Sequence, residues 1–143
     1  MPEGTVAPFA GVAAVSVTAS LRLGDRVLDL GCGAGLDSLV AAKRVRPGEV
    51  LGIDFSADML ARAASTSVDN VTWCRASAEA LPLADGSVDV VLVNGIFNLN
   101  PGRSRIFAEL ARVVRPGGRV HAAELVLRRP LPDAERTDAN WFA

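Results

Sequence analysis

The sequence predicts an α/β fold, a doubly wound parallel sheet with helices on both of its faces. Short apolar runs alternate along the chain with segments of helical periodicity. The runs are continuous in Val, Leu and Ile, which is typical of strands buried on both faces. Strand–helix–strand units of this kind form right-handed crossovers and a parallel sheet.

Five apolar runs are predicted to be the strands, because each is short and bounded by turn residues. In chain order they are Arg26–Leu30, Glu49–Ser56, Asn70–Ser77, Val88–Asn94 and Arg119–Leu127. Three helices are predicted between them. The first, Leu36–Val45, ends before a Pro-Gly pair, and the second begins at Ser56, whose hydroxyl is a typical N-cap. The third is predicted to begin at Asn100, followed by proline in the first turn, and to end at Pro-Gly-Gly, residues 116–118.

Length and composition exclude several classes of protein. A chain of 143 residues fits one domain, which we divide into a segment 1–22, a core 23–127 and a tail 128–143. The net charge of −1 provides no basic surface for nucleic acid. Residues 4–21 are uncharged but lack a basic start and contain proline and glycine, so neither a signal peptide nor a membrane span is expected. The two cysteines have the spacing of neither a disulfide framework nor a zinc site, so we expect a cytoplasmic protein without a metal.

Gly31, Gly33 and Gly35 follow the first strand on alternate residues. Ligands of doubly wound sheets bind beyond the carboxyl ends of the strands, where a loop without side chains exposes backbone N–H groups. The same glycines would also suit a tight turn needed only for packing. A dinucleotide fingerprint would need glycine at Leu36, and no Gly-Lys-Ser/Thr phosphate loop is present. By its charge, Asp29 favours a cationic group such as a sulfonium nearby.

A second carboxylate, Asp54, lies at the end of the neighbouring strand. A carboxylate there can accept hydrogen bonds from both hydroxyls of a ribose. Phe55 and Met59 can lie against a flat base, although Met59 equally suits the core of its helix. Together these residues predict a nucleoside with a positively charged appendage.

Five motifs resemble the class I S-adenosylmethionine-dependent methyltransferases. They are Asp29-Leu-Gly-Cys-Gly-Ala-Gly35, Gly52-Ile-Asp54-Phe-Ser56, Ala78-Glu-Ala-Leu-Pro82, Ser87-Val-Asp-Val-Val-Leu92 and Arg115-Pro-Gly-Gly-Arg119. The resemblance implies a Rossmann-like fold, S-adenosyl-L-methionine as cofactor and methyl transfer. It implies that the glycine loop contacts methionine, Asp54 the ribose, residues 77–79 the adenine, and Asn94 the methionine end. The predicted cofactor-binding residues are Asp29, Gly31, Cys32, Gly33, Gly35, Asp54, Phe55, Met59, Ser77, Ala78, Glu79 and Asn94.

Within that family, Val93–Val120, Ala123–Pro132 and Pro8–Ala13 look most like arsenite methyltransferases. That group binds arsenic through cysteine thiolates, one of them just after the fourth strand, where this chain has Gly-Ile-Phe at residues 95–97. Nucleic-acid amino methyltransferases carry a Pro-Pro pair after that strand, which is missing as well. The sequence therefore favours a small-molecule acceptor, with arsenite methylation less favoured.

No catalytic residue is assigned from the sequence. His121 lies near the start of the fifth strand, away from the ligand edge, and is expected to be a packed or surface residue. Glu124 lies nearer that edge and is expected either to contact substrate or to pair with an arginine. Arg112, Arg115 and Arg119 are expected to form a solvated face.

The family fold usually has seven strands, and the last two are predicted to be missing here. The fifth strand would then be an exposed edge. Three explanations stay open: the chain is a fragment, another copy of the chain covers the edge, or a tail containing Trp141 and Phe142 folds back over it. Two other functions stay open. The short C terminus favours a non-catalytic S-adenosylmethionine-binding module, whereas Leu36 argues against a nicotinamide-dependent oxidoreductase.

Overall fold

The computed structural model describes residues 12–126, which form a five-stranded parallel sheet with helices on both faces. The strands are β1 Arg26–Leu30, β2 Glu49–Asp54, β3 Val71–Arg75, β4 Val88–Asn94 and β5 Val114–Ala123. The helices are α1 Val15–Thr18, α2 Leu36–Val45, α3 Ala57–Ala64 and α4 Arg103–Val113, with a short 3-10 helix at Phe97–Leu99. The strand order β3-β2-β1-β4-β5 reverses between β1 and β4, which confirms the doubly wound fold. Over residues 12–126, no helix has both the length and the apolarity that a membrane span requires.

The two faces of the sheet are covered by different helices, which explains why the central strands are apolar throughout. On one face, α4 packs its buried Ile106, Leu110 and Val113 against side chains of β1 and β4. On the other face, residues of α2, together with Val15 of α1, pack against the alternate side chains of the same strands. Val27 of β1 is fully buried. Fully burying a side chain of this size contributes roughly 1.5–3 kcal/mol.

Strands β1 and β4 and helix α2 have the predicted bounds. The predicted N-cap is also confirmed, since Ser56 Oγ accepts from the N–H of Met59 at 3.3 Å. Strand β2 ends two residues early because the N–H of Ser56 donates to the side chain of Asp54 at 2.8 Å, which turns the chain into α3. Strand β3 is shorter than predicted at its carboxyl end, where Ser77 enters a tight turn bridged to Ala80.

The predicted ends of α4 and β5 are wrong. Asn100 does not cap the helix, because its Oδ1 accepts from the N–H of Gly102 at 2.7 Å, a local turn that competes with capping. Gly102 is the N-cap instead, and α4 begins at Arg103. The helix ends at Val113 and β5 begins immediately after it, so that the Pro-Gly-Gly stretch lies within β5, where the pairing register with β4 shifts.

The three arginines predicted to form a solvated face are each paired with an acid, and only Arg115 is exposed, whereas Arg112 and Arg119 are partly buried. Arg115 binds Asp89 of β4, and Arg119 binds Asp25 at 2.8 Å. These acids lie at the amino ends of β4 and β1, and Arg119 of β5 reaches past β4 to Asp25, which precedes β1. The arginine side chains therefore hold the sheet together at the end opposite the ligand edge. The predicted tail 128–143, Leu127 and residues 1–11 lie outside the described residues.

Candidate functional site

A cavity of about 730 Å³ lies at the carboxyl ends of β1, β2 and β4. This volume is within the range of small-molecule sites, roughly 300–1,000 Å³. The cavity brings together eleven of the residues singled out from the sequence: Asp29, Gly31, Cys32, Gly33, Asp54, Phe55, Met59, Ser77, Ala78, Glu79 and Asn94. Gly35 does not line it.

The glycines of the loop differ in their surroundings, and only Gly35 shows the packing role that the sequence suggested. Gly35 has φ +86°, and a side chain there would collide with the ring of Trp73, so this glycine is needed for conformation and packing. Gly33 has φ +52°, and a Cβ there would meet no described atom within 4 Å. The loop is thus packed at Gly35 and open at Gly33, where a ligand can approach the backbone.

Backbone hydrogen bonds hold the loop against β2. The N–H groups of Gly31 and Cys32 both donate to the carbonyl of Ile53, at 2.7 and 3.0 Å. The N–H groups of Ala34 and Leu36 have no partner among the described residues, and they lie at the N-terminus of α2, where the helix dipole favours an acceptor. The loop therefore offers backbone donors to a ligand.

Asp54 is oriented by the loop that it faces. Its Oδ2 accepts from the N–H of Gly33 at 2.9 Å, and its Oδ1 accepts from the N–H of Ser56 at 2.8 Å. Its exposed fraction is 8%. A carboxylate can accept about four hydrogen bonds. Asp54 is therefore fixed in place and still has capacity for two hydroxyl donors.

The surroundings of Asp29 differ from the sequence expectation, which was a charged carboxylate beside a cationic group. Its exposed fraction is 2%, and its Oδ2 accepts from Ser38 Oγ at 2.5 Å. Burial raises its pKa to about 7, and the nearby charges of Asp37 and Asp54 add to the effect. Near neutral pH, Asp29 is therefore partly protonated, and a bound cation would favour its ionised form. Burial also raises the pKa of the Cys32 thiol, which stays protonated.

The side chain of Asn94 uses its hydrogen-bonding groups on other residues of the chain. Its Oδ1 accepts from the N–H of Val12 at 2.7 Å, and its Nδ2 donates to the carbonyl of Ala13 at 2.7 Å and to Asp37 Oδ2 at 2.8 Å. Any ligand contact by Asn94 in this arrangement comes from its backbone. Asp37 also lines the cavity and was missed from the sequence. An acid in the first turn of the helix that follows a glycine loop is the signal that would have found it.

The side of the cavity next to β3 is built from a tight turn. Ser77 Oγ accepts from the N–H of Glu79 at 3.2 Å, and the carboxylate of Glu79 lies 3.5 Å from the guanidinium of Arg105. Phe55 stands at the rim with an exposed fraction of 77%. The turn thus presents backbone groups to the cavity, with an aromatic ring near them.

His121 and Glu124 have structural roles. His121 Nε2 accepts from the N–H of Ser20 at 3.3 Å, which fits the expected packed or surface residue. Its predicted place near the start of the fifth strand is wrong, because β5 begins at Val114 and His121 lies opposite Leu92, two residues before the strand ends. Glu124 accepts from the N–H of Phe97 at 2.8 Å and that of Asn98 at 3.4 Å. The expected pairing of Glu124 with an arginine is not found among the described residues, because its carboxylate ties the turn after β4 to the end of β5. Its contact with substrate stays a prediction. Within the described residues, no group of three His, Cys, Asp or Glu side chains is arranged to hold a metal.

Known proteins share both the sequence and the fold of this chain. A family model described as a methyltransferase domain matches residues 27–118. The chain is 41% identical over 127 residues to an arsenite methyltransferase from Halobacterium salinarum, a match that covers 85% of this chain and 32% of that protein. It is 36% identical over 112 residues to a demethylmenaquinone methyltransferase from Lactococcus lactis, covering 72% of this chain and 44% of that protein.

The crystal structure of an arsenic(III) S-adenosylmethionine methyltransferase from Chlamydomonas reinhardtii superimposes with a TM-score of 0.88 at 33% identity. The match covers 97% of this chain and 50% of that one. The chain thus spans from about a third to about half of the length of these relatives.

Proposed function

This chain belongs to the family of methyltransferase domains, whose cofactor is S-adenosylmethionine, and on that premise we propose that it transfers the cofactor's methyl group to a small-molecule acceptor. One observation carries the proposal. The cavity places the open backbone of Gly33 beside the carboxylate of Asp54, at the edge where doubly wound sheets bind ligands. Backbone donors and a hydroxyl acceptor in one cavity fit a nucleoside with an amino-acid tail.

The order of the strand ends indicates how the cofactor lies. The turn at Ser77 follows β3, Asp54 ends β2, the glycine loop follows β1, and Asn94 ends β4. We place adenine against the turn and Phe55, the ribose hydroxyls on Asp54, and the methionine carboxylate at the N–H groups of Ala34 and Leu36. In this arrangement Asp29 would be the acid nearest the sulfonium, which would stabilise its ionised form.

When bound, the cofactor would supply a methyl group bonded to a sulfonium sulfur, which would leave as a neutral thioether when the acceptor bonds to the methyl carbon. The chain's own residues hold it in line with the acceptor and exclude water. Gly31 and the Cys32 backbone fix the loop on β2, and Asp54 fixes the nucleoside. None of these tasks requires a general base from the described residues.

Arsenite is a second candidate acceptor, because two of the relatives are arsenic methyltransferases. Arsenic prefers thiolate ligands. The two cysteines of this chain do not supply a matching site, since the pKa of Cys32 is raised by burial and Cys74 points into the core beside β2. We therefore rank arsenite below an organic acceptor.

The first test is calorimetric titration of the purified chain with S-adenosylmethionine, followed by transfer of labelled methyl to a panel of small molecules that includes arsenite. We expect binding at a 1:1 ratio and label on at least one organic acceptor. Binding without transfer to any acceptor would favour the non-catalytic module. Absence of binding would refute the proposal.

The matched variants for this test are Asp54→Asn and Asp58→Asn. Both remove one negative charge near the same sheet edge, but Asp58 is exposed and does not line the cavity. We expect Asp54→Asn to weaken binding by about 1.5–3 kcal/mol, roughly tenfold or more, the scale of a hydrogen bond to a charged group. Asp58→Asn should bind within about twofold of the natural chain. Equal affinities for the two variants would mean that Asp54 does not hold the ligand.

A further inference from the structure

A chain of hydrogen bonds joins the N-terminal segment to the cofactor cavity. The carboxylate of Asp37 accepts from both the N–H and the hydroxyl of Ser16 and, through its other oxygen, from Asn94 Nδ2 at 2.8 Å. Asn94 in turn binds the backbone of Val12 and Ala13. These contacts connect residues 21 to 82 positions apart in the sequence.

The residues joined by these hydrogen bonds lie in two different surroundings. Asp37 and Asn94 line the cavity, whereas Ser16 is a buried residue of α1 and does not line it. The segment is also held from its other end, because the guanidinium of Arg44 donates to the carbonyls of Ser16, Val17 and Ala19 at the end of α1. The segment from residue 12 to residue 19 is thus fixed on α2 and on the end of β4.

We propose that Ser16 is a positioning residue for the methionine end of the cofactor, acting through Asp37 and Asn94. Asp37 lies in the first turn of α2, directly after the glycine loop, and Asn94 ends the strand that borders the loop. The contacts of Ser16 hold the Asp37 carboxylate in the orientation that receives Asn94. Without the contacts of Ser16, the Asp37 carboxylate loses the hydrogen bonds that orient it toward Asn94. The inference rests on the proposed function.

The same geometry couples cofactor binding to docking of the segment. A ligand that orders the start of α2 and the end of β4 favours the arrangement in which Asp37 and Asn94 bind residues 12–16. Linkage is reciprocal, so docking of the segment strengthens ligand binding by the same factor. The effect belongs to one end of the cavity, because the side chains of Asp54 and Ser77 form their hydrogen bonds with Gly33, Ser56 and Glu79 and not with the described part of the segment.

The experiment compares Ser16→Ala with Thr18→Ala. Both delete a hydroxyl from α1, but Thr18 is exposed and its Oγ1 bonds only to carbonyls of its own helix turn. Each variant is titrated with S-adenosylmethionine and with 5′-methylthioadenosine, which has the nucleoside but no amino-acid tail. We expect Ser16→Ala to weaken S-adenosylmethionine binding by roughly three- to tenfold and to leave methylthioadenosine within about twofold, while Thr18→Ala changes neither.

Hydrogen exchange provides a second readout on the natural chain. The N–H groups of Val12 and Ser16 donate to Asn94 and Asp37, so saturation with S-adenosylmethionine should slow their exchange. Equal loss of both ligands in Ser16→Ala, or wild-type binding of both, overturns the positioning role and leaves the proposed function standing. Failure of the natural chain to bind S-adenosylmethionine overturns both.

Discussion

At the scale of single residues, the site depends on carboxyl groups that are buried without an ion-pair partner. Asp29 has the hydroxyl of Ser38, and Asp54 has two backbone N–H groups. Such partners satisfy the oxygen atoms without neutralising a charge, so the region stays favourable for a cation. Burying a carboxyl disfavours its ionised form, and this lowers the free energy of unfolding of the chain.

Asp29 therefore makes stability depend on pH. Its pKa is raised from 3.8 to about 7 in the folded chain. Between these values the unfolded chain releases the proton while the folded chain keeps it, so stability falls as the pH rises, and above about 7 the loss is constant. We expect Asp29→Asn to gain stability relative to the natural chain from pH 4 to pH 7, reaching roughly 2–4 kcal/mol, since a tenfold change in an ionisation constant is worth about 1.4 kcal/mol.

Urea unfolding at a series of pH values measures this difference. Because asparagine keeps an oxygen that can accept the hydrogen bond from Ser38, the natural chain and the variant differ chiefly in the charge at this position. A difference between the two proteins that is the same at pH 4 and at pH 8 would contradict the burial effect on Asp29.

The positions of these side chains could be predicted from the sequence better than their hydrogen bonds, burial and pKa values. The positions of Asp29 and Asp54 follow from the ends of two strands, which apolar patterning identifies. The occupation of Asn94 by residues 12 and 13 does not, because it requires knowing which distant segment packs on the end of β4. The pKa of Asp29 likewise depends on burial by elements that come later in the chain.

At the scale of elements, an ion-pair network fixes the loop that borders the β3 side of the cavity. Arg112 of α4 donates to the carbonyls of Leu81 and Leu83 and to the carboxylate of Asp85. Glu109, one turn earlier, accepts from Arg112 and from the N–H of Leu81 at 2.6 Å. One face of α4 thus packs on the sheet while another holds the loop.

We expect Arg112→Lys to loosen this loop, because a single ammonium cannot replace a planar guanidinium that bonds several acceptors at once. The amide hydrogens of Leu81 and Leu83 should exchange faster than in the natural chain. Arg103→Lys is the control, since Arg103 is exposed on the same helix and takes part in no ion pair of the described residues.

The bonds from Arg112 and from the N–H of Leu81 lower the pKa of Glu109 to about 2. The stabilising effect of the Glu109 carboxylate is therefore present above its unfolded pKa of 4.5 and is lost only as the pH falls through about 2. Exchange measured at pH 4 should still distinguish Arg112→Lys from the control. Identical exchange in both variants would show that the loop is held by its own turns.

Helix and strand ends were predicted correctly where one local signal decides them, and they were missed where two local signals compete or where a longer-range contact decides. Ser56 caps α3 as its type suggests. Asn100 has an equally suitable side chain but uses it for a local turn, and the pairing of β5 with β4 extends the strand back to Val114. Sheet pairing therefore overrides the helix-ending signal of Pro-Gly-Gly.

At the scale of the whole molecule, the most deeply buried strands are those whose carboxyl ends form the cavity. The strand order makes β1 the central strand, with β2 and β4 beside it, and the side chains of Val27 and Leu28 are fully buried. Strand β3 at one edge is only partly buried. The doubly wound fold was predictable because the buried central strands have an unmistakable apolar pattern. The predicted covering of the β5 edge by another copy of the chain stays a prediction, and within the described residues β5 pairs with β4 alone.

Leu28→Ala should destabilise the protein by about 2–5 kcal/mol, the usual cost of a cavity in a core. Leu23→Ala is the matched control, because Leu23 has an exposed fraction of 77% and its truncation should change stability by less than about 0.5 kcal/mol. Urea denaturation of both variants measures the difference. Equal unfolding midpoints would place the stabilising core elsewhere.

Among the described residues, those around the cavity come from one stretch, Asp29 to Pro101. The N-terminal segment, α4 and β5 lie outside this stretch but hold its loops and strands in place. On the proposed function, related chains can therefore change the choice of acceptor in flanking sequence as long as these supporting contacts are kept. An engineer who grafts the stretch onto a new acceptor-recognition region would have to carry the supporting elements with it.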